Sequence, residues 1–113
     1  MNRKVLVPNL PTRWDAAVKQ RVPSIDLNTA AQYGELSCAT VGPVTQEELP
    51  NQLHHVELAV QTLGEDDLIL VIGDPVLYGA ALFYAVQRNP MKKANVLRWD
   101  KQRRVYDMIE VKL

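Results

Sequence analysis

Cysteine is almost absent from this sequence, because Cys38 is the only one among 113 residues. A single cysteine cannot form an intramolecular disulfide, which excludes a scaffold held by internal disulfides and fits a reducing compartment. Long apolar runs are also missing, since the longest, residues 76–86, has about eleven residues where a membrane-spanning helix needs about twenty. The apolar run near the N-terminus is likewise too short for a signal peptide. We therefore expect a cytoplasmic protein without a membrane segment.

Whole stretches of the chain lack charge of one sign, although the net charge is zero. Residues 26–74 contain nine acidic residues and no lysine or arginine, whereas residues 88–104 contain seven basic residues and one acid, Asp100. Such asymmetry is typical of proteins with an anionic partner or of head-to-tail self-association. Two solvated faces of one soluble domain would give the same pattern, so both interpretations remain open.

Strand and helix signals alternate along the chain. The predicted strands are 4–7, 35–41, 67–73, 95–100 and 105–113, and the predicted helices are 12–19, 45–63 and 75–88. The run "DLILVIG" is continuously apolar, which is typical of a central parallel strand covered on both faces. The sequence therefore predicts an α/β fold over a single domain, residues 1–113. We expect a small, mainly parallel sheet with helices packed on it and a C-terminal antiparallel β-hairpin.

Three finer predictions rest on local signals. Thr12 followed by Asp15 has N-capping spacing and predicts the short helix over 12–19. Pro50 is incompatible with a helix interior and predicts a kink or a restart at Asn51. The apolar residues around Met108 do not alternate cleanly, which predicts a β-bulge there.

The predicted helix at 75–88 has no polar stripe along its apolar part. A helix that is apolar all round is usually buried on more than one side. We therefore expect a homodimer through this helix or its neighbour. The alternative is that the N-terminal segment, with Trp14, folds over the helix.

The segment Gly73-Asp74-Pro75 has the composition of a helix start, with Asp74 as the N-cap and Pro75 in the first turn. It also follows an apolar strand, and α/β sheets bind ligands at the carboxyl ends of their strands. This position keeps open a small nucleotide-acting enzyme or a nucleotide sequestrant, with Asp74 and His55 as candidate catalytic residues. The spacing fits neither a dinucleotide fingerprint nor a P-loop, so we expect no cofactor. His54 and His55 are adjacent, whereas metal-binding pairs on a helix are three or four residues apart, so we expect no metal.

The C-terminal hairpin contains the best candidate for a binding site. The residues concerned are Arg98, Trp99, Lys101, Arg103 and Arg104. Basic side chains neutralise phosphates, and aromatic rings offer faces on which unpaired bases stack. The alternative is that Trp99 packs inward while the charges keep an exposed sheet edge from aggregating. We predict a binding protein rather than an enzyme, with nucleic acid or a nucleotide as the possible partner. A structural homodimer without a ligand is a third possibility.

In its size and general style, without any diagnostic motif, the chain resembles the small uncharacterised α/β proteins of phages and prophages. The resemblance implies a phage-type protein of the same fold class. It assigns no role to any residue.

Overall fold

The protein is described here by a computed structural model that covers residues 3–112, so Leu113, the last residue of the final predicted strand, lies outside the described residues. The strands are β1 (Lys4–Val7), β2 (Thr12–Asp15), β3 (Gln20–Pro23), β4 (Glu35–Cys38), β5 (Leu68–Leu70), β6 (Lys93–Asp100) and β7 (Val105–Lys112), and the helices are α1 (Leu49–Val60), α2 (Pro75–Arg88) and a 3₁₀ turn (Ala30–Tyr33). Five of these strands form one sheet, while β2 and β3 form a separate hairpin.

The main sheet has the strand order β4-β1-β5-β6-β7. Its first four strands are parallel, and β7 runs antiparallel to β6. The predicted fold class, a mainly parallel α/β sheet with a C-terminal antiparallel hairpin, is therefore confirmed. The chain leaves β1 towards β4 and then crosses back to β5, so the topological switch point of the sheet lies between β1 and β5.

The sheet is covered on both faces by different parts of the chain. On one face α1 and α2 contribute Val56, Val60, Leu77 and Ala81, which pack with Leu6 and Ile69 of the sheet. On the other face Val5, Val7, Leu70 and Leu97 pack against Ala30, with Ile25, Leu27 and Tyr33 partly buried at the margin. All of β5 is buried, as its apolar run predicts for a central parallel strand. No helix within residues 3–112 is long and apolar enough to cross a membrane.

The helix predicted over residues 12–19 is wrong, because this segment forms the antiparallel β2-β3 hairpin. Asp15 does not occupy a helix cap; its Oδ1 accepts a hydrogen bond from the amide of Ala17 at 2.9 Å and closes the turn. The Thr12 hydroxyl, the expected helix cap, accepts a hydrogen bond from Nε of Arg21 at 2.7 Å. Thr12 therefore forms a contact with Arg21 across the hairpin and not the helix-capping contact that the local sequence predicts.

Two other local predictions are corrected by the structure. The helix predicted from residue 45 begins only at Leu49, with Pro50 in its first turn, where a backbone N–H has no intrahelical partner to lose, and its N-cap is Glu48 rather than Asn51. The predicted bulge at Met108 is absent, since β6 and β7 pair continuously from Lys93↔Lys112 to Asp100↔Val105.

The outer side of α2 faces solvent in the single chain. Leu77 and Ala81 are buried in the core, whereas the side chain of Phe83 is 60% exposed. Trp14, the candidate cover from the N-terminal segment, is itself 59% exposed. The prediction that this segment buries α2 is therefore wrong. Burial of this side by a second copy stays a prediction.

Candidate functional site

The predicted binding residues lie together at one end of the sheet. We call residues 98–107, which include the ends of β6 and β7 and the turn between them, the hairpin tip. Because β6 is parallel to β5, the hairpin tip lies at the carboxyl edge of the sheet, the edge at which α2 begins. The structure thus gathers these residues at the edge where α/β proteins bind their ligands.

Two of the four basic residues of the hairpin tip are held by acids of the same hairpin. Arg103 donates from Nε to Oδ2 of Asp100 at 2.8 Å and from Nη2 to Oδ1 of Asp107 at 2.5 Å. Arg98 lies with Nη2 at 3.7 Å from Oδ2 of Asp107. Arg103 is therefore held by two acids of the hairpin, whereas Arg98 forms a longer and exposed ion pair with one of them.

Asp100 closes the turn as well as binding Arg103. Its Oδ1 accepts hydrogen bonds from the amides of Gln102 at 2.9 Å and Arg103 at 3.2 Å. The side-chain and backbone hydrogen bonds from Arg103 hold the pKa of Asp100 below its ordinary value. The same contact, followed by that with Asp107, raises the pKa of Arg103. Asp100 therefore joins the backbone of the turn to the guanidinium of Arg103.

Lys101 and Arg104 are the cations of the hairpin tip that its own acids do not hold. Both are exposed, and neither forms an ion pair within residues 3–112. The backbone of Arg104 is in the left-handed region, with φ of 56°, and its amide donates to the carbonyl of Asp100 at 2.8 Å. The turn therefore presents two charged side chains to solvent from a fixed backbone.

The aromatic residues of the hairpin tip lie on the face of the sheet opposite to Arg98. Trp99 pairs with Tyr106, and their ring centroids are 5.0 Å apart in an edge-to-face arrangement. Tyr106 packs in turn on Tyr33, with centroids 5.9 Å apart. Burial, followed by the charge of Asp26 and the contact with Tyr33, raises the pKa of Tyr106. Trp99 itself is 38% exposed, so it is partly packed, as the structural alternative holds, and also partly accessible to a ligand.

The topological switch point contains a residue that the sequence analysis did not single out, Asn9. Its side chain is buried, and its Oδ1 accepts a hydrogen bond from the amide of Asp74 at 3.0 Å. Its Nδ2 donates to Oγ1 of Thr40 and to the carbonyl of Gly42, each at 3.1 Å. Asn9 therefore ties together the segments that follow β1, β4 and β5. The sequence does contain a signal for this residue, because Asn9 is a polar residue two positions after the buried strand β1.

The two candidate catalytic residues are not brought together. Oδ1 of Asp74 accepts a hydrogen bond from the amide of Val76 at 2.9 Å, which confirms the predicted N-cap of α2. His55 is exposed in the middle of α1, and no hydrogen bond or ion pair joins it to Asp74 within residues 3–112. In the same part of the chain, no group of three or more His, Cys, Asp or Glu side chains could hold a metal ion. The thiol of Cys38 has its pKa raised by burial.

The amino edge of the sheet carries the opposite charge to the hairpin tip. An open groove of about 1320 Å³ lies there. Its acidic lining residues are Glu35, Glu65, Asp66, Asp67 and Glu110, with Arg3 as the basic one. The uneven charge of the sequence is thus kept only in part, because Arg88 and Lys93 lie near Glu65 and Asp67 at the amino edge, whereas Arg98 to Arg104 lie at the carboxyl edge. None of the predicted site residues lines this groove.

The strand order and the charged edge hairpin define a small α/β protein whose mainly parallel sheet ends in an antiparallel edge strand. The chain belongs to the phage Pam3 gp32-like protein family, which matches it over residues 3–113. This match confirms the expected phage-type protein. No curated protein and no solved structure gives a significant match.

Proposed function

We propose that this phage-family protein is a non-enzymatic binding protein that acts as a homodimer and engages an anionic partner through the hairpin tip. The observation that carries the proposal is the pair Lys101 and Arg104, two exposed cations on a closed turn next to a partly exposed Trp99. Nucleic acid or a nucleotide offers the phosphates and the base faces that such a surface binds.

The rigidity of the turn supports this function. Asp100 bonds two amides and the guanidinium of Arg103, so the backbone that carries Lys101 and Arg104 is already ordered before a ligand arrives. A ligand then pays less entropy for ordering the loop, which favours binding. The acidic groove at the other edge of the sheet orients the protein in the field of a polyanion.

The hairpin tip has two cations that its own acids do not hold, and this number sets the expected salt dependence of binding. Each phosphate that is neutralised on a single strand contributes about 0.7 to the slope of log affinity against log salt concentration. Two cations therefore predict a slope of about 1.4 in magnitude, a modest salt dependence that belongs to weak binding.

Fluorescence anisotropy with a labelled single-stranded oligodeoxynucleotide tests the proposal. We expect Lys101→Ala and Arg104→Ala each to weaken binding and to reduce the salt slope by about 0.7. Lys19→Ala is the matched control, because Lys19 is an exposed lysine in the turn of the other hairpin and should leave binding unchanged. Equal losses in all three variants would mean that binding is not localised to the hairpin tip. A complete lack of binding at low salt would favour a structural dimer without a ligand.

A second candidate function is the nucleotide-acting enzyme or sequestrant at the carboxyl edge. It is favoured by Asp74, which lies beside the switch point and whose second carboxylate oxygen takes part in no hydrogen bond within residues 3–112. Asp74→Asn keeps a side-chain oxygen for capping. On this hypothesis the variant should remain folded and lose nucleotide binding or turnover, measured by calorimetric titration and by product analysis.

A further inference from the structure

The two edges of the sheet differ in length and in exposure. At one edge β4 has four residues, whereas at the other β7 has eight and contains neither proline nor glycine. An edge strand presents a row of unpaired backbone N–H and C=O groups, and a long apolar edge is a template for pairing with another chain. Edges are commonly protected by shortness or by a bulge, and β7 has neither protection.

The side chains of β7 add apolar surface to this open edge. Val96 pairs with Ile69 on one side and with Ile109 on the other, so Ile109 lies on the sheet face that α1 and α2 cover. Helix cover does not extend over β7, because Ile109 and Val111 each remain 39% exposed. On the opposite face Met108 is also exposed. The edge strand therefore carries exposed apolar side chains on both faces.

We propose that β7 pairs antiparallel with β7 of a second copy about a twofold axis at Ile109, which joins two five-stranded sheets into one continuous sheet. This inference rests on the homodimer of the proposed function and names the surface that forms it. A twofold axis perpendicular to the sheet makes the strands antiparallel and keeps the helical layers of both copies on the same face.

The charges along β7 permit this register, and an axis at Ile109 lies near the middle of the strand, so most of β7 is paired. With the axis at Ile109, the opposed pairs are Ile109 with itself, Met108 with Glu110, Asp107 with Val111, and Tyr106 with Lys112. No like charges face each other. An axis at Glu110 or at Asp107 would oppose identical acids, and an axis at Met108 would place Arg104 against Lys112, each of which is destabilising.

The acids of β7 are already compensated within their own chain. Glu110 accepts a hydrogen bond from Nζ of Lys93 at 3.4 Å, and Asp107 is bound by Arg103 and lies near Arg98. Pairing at this edge therefore does not bring two uncompensated carboxylates together. A second copy meets the apolar surface and the backbone groups, and these interactions favour β-strand addition.

Engineered cysteines in a Cys38→Ala background test the register directly. Directly opposed residues of antiparallel strands have Cα atoms about 4.5–5.5 Å apart, within the range of a disulfide. Ile109→Cys should therefore form a disulfide-linked dimer under mild oxidation. Val111→Cys is the matched control, because its two copies would lie about 14 Å apart along the strands, too far for a disulfide.

Sedimentation velocity supplies a measurement that does not depend on oxidation. We expect the wild-type chain to be a dimer and Ile109→Lys to be a monomer with an unchanged circular dichroism spectrum. Val18→Lys, at an exposed apolar position in the β2-β3 turn, should remain a dimer. Phe83→Lys tests the alternative dimer interface, the outer side of α2, and if β7 forms the interface this variant should also remain a dimer.

The outcomes separate this inference from the proposed function. The β7 dimer is supported if Ile109→Cys forms the disulfide and Val111→Cys does not, and if Ile109→Lys is a monomer while Val18→Lys and Phe83→Lys remain dimers. Dissociation by Phe83→Lys but not by Ile109→Lys overturns it while leaving the homodimer intact. Salt-sensitive oligomers larger than a dimer, without cross-linking at position 109, overturn it in favour of head-to-tail association. Oligonucleotide binding is measured separately, so a monomeric protein that still binds would contradict the dimer and not the hairpin tip.

Discussion

Gly73 lies so close to Asn9 that a side chain at position 73 has no space. A Cβ built on Gly73 would fall 2.5 Å from Oδ1 of Asn9 and closer still to its carbonyl oxygen. Gly73 also has φ of +81°, a conformation that other residues rarely adopt. The glycine of the "GDP" segment is therefore explained by packing at the switch point. It leaves Asp74 as the residue of this segment that is open to a functional interpretation.

Gly73→Ala should destabilise the protein by more than about 2 kcal/mol. The left-handed conformation alone costs an L-residue about 1–2 kcal/mol, and the displacement of Asn9 adds to that. Gly79→Ala is the control, because a Cβ there meets nothing within 4 Å and the glycine lies inside α2. It should stabilise the protein by about 0.5–1 kcal/mol. Urea denaturation of both variants measures the difference, and equal midpoints would contradict the close approach of Gly73 to Asn9.

Asn9→Ala should lower the free energy of unfolding by about 2–4 kcal/mol, since it leaves the amide of Asp74 and the carbonyl of Gly42 without their side-chain partner. Asn51→Ala removes an exposed asparagine from the first turn of α1 and should change stability by less than about 0.5 kcal/mol. Thermal or chemical unfolding provides the comparison. An Asn9 variant as stable as the Asn51 variant would show that the network at the switch point contributes nothing.

Acidification should break the contact between Asp100 and Arg103 only below the pH at which an ordinary carboxyl group is protonated. The pKa of Asp100 is lowered in the folded protein, so its contribution is present above the ordinary carboxyl pKa of about 4 and is lost as the pH falls through the lowered value. An NMR titration of the Asp100 carboxyl carbon should give a midpoint below the ordinary one. In Arg103→Gln the midpoint should move up. An unmoved midpoint would mean that Arg103 is not the cause.

Asp107→Asn should strengthen oligonucleotide binding. Asp107 is bound by Arg103 and lies near Arg98, so its neutralisation makes the guanidinium of Arg98 available to phosphates and leaves Arg103 bound to Asp100 alone. Each additional phosphate contact should raise the magnitude of the salt slope by about 0.7. Glu110→Gln, which removes the partner of Lys93 away from the hairpin tip, is the control and should leave binding unchanged. Weaker binding by Asp107→Asn would indicate that the order of the hairpin matters more than its charge.

The parts of the fold that were predictable from the sequence are those whose signals are local and consistent. Three elements show this, namely β5, α2 and the C-terminal hairpin. In each, a hydrophobic pattern occurs together with a residue or turn that marks where the element begins or ends, such as the N-cap Asp74 and the turn before Val105. The segment "TRWDAAVKQRVP" misled because its capping pattern was local, whereas Arg21 binds Thr12 only once the hairpin has closed. Propensity is a weak prior that such tertiary contacts override.

The candidate site was only partly predictable for a related reason. The basic residues of the hairpin were correctly located at one turn, but the sequence could not show that Asp107 holds Arg98 and Arg103, because that depends on strand register. The strand structure also decides how Trp99 and Arg98 are arranged. These residues are neighbours in sequence but lie on opposite faces of the sheet. Asn9 became recognisable only when three separate chain segments met around it.

The position of β1 in the sheet has a consequence for folding. Val5 pairs with Leu36 and with Leu68, so the first strand of the chain is completed by strands that are synthesised much later. The β6-β7 hairpin, by contrast, closes across a turn of a few residues and can form quickly by itself. Insertion of β1 between its two neighbours is therefore the step with the largest loop entropy. Until β5 emerges from the ribosome, the early apolar strand depends on the rest of the chain, or on a chaperone, to keep it from aggregating.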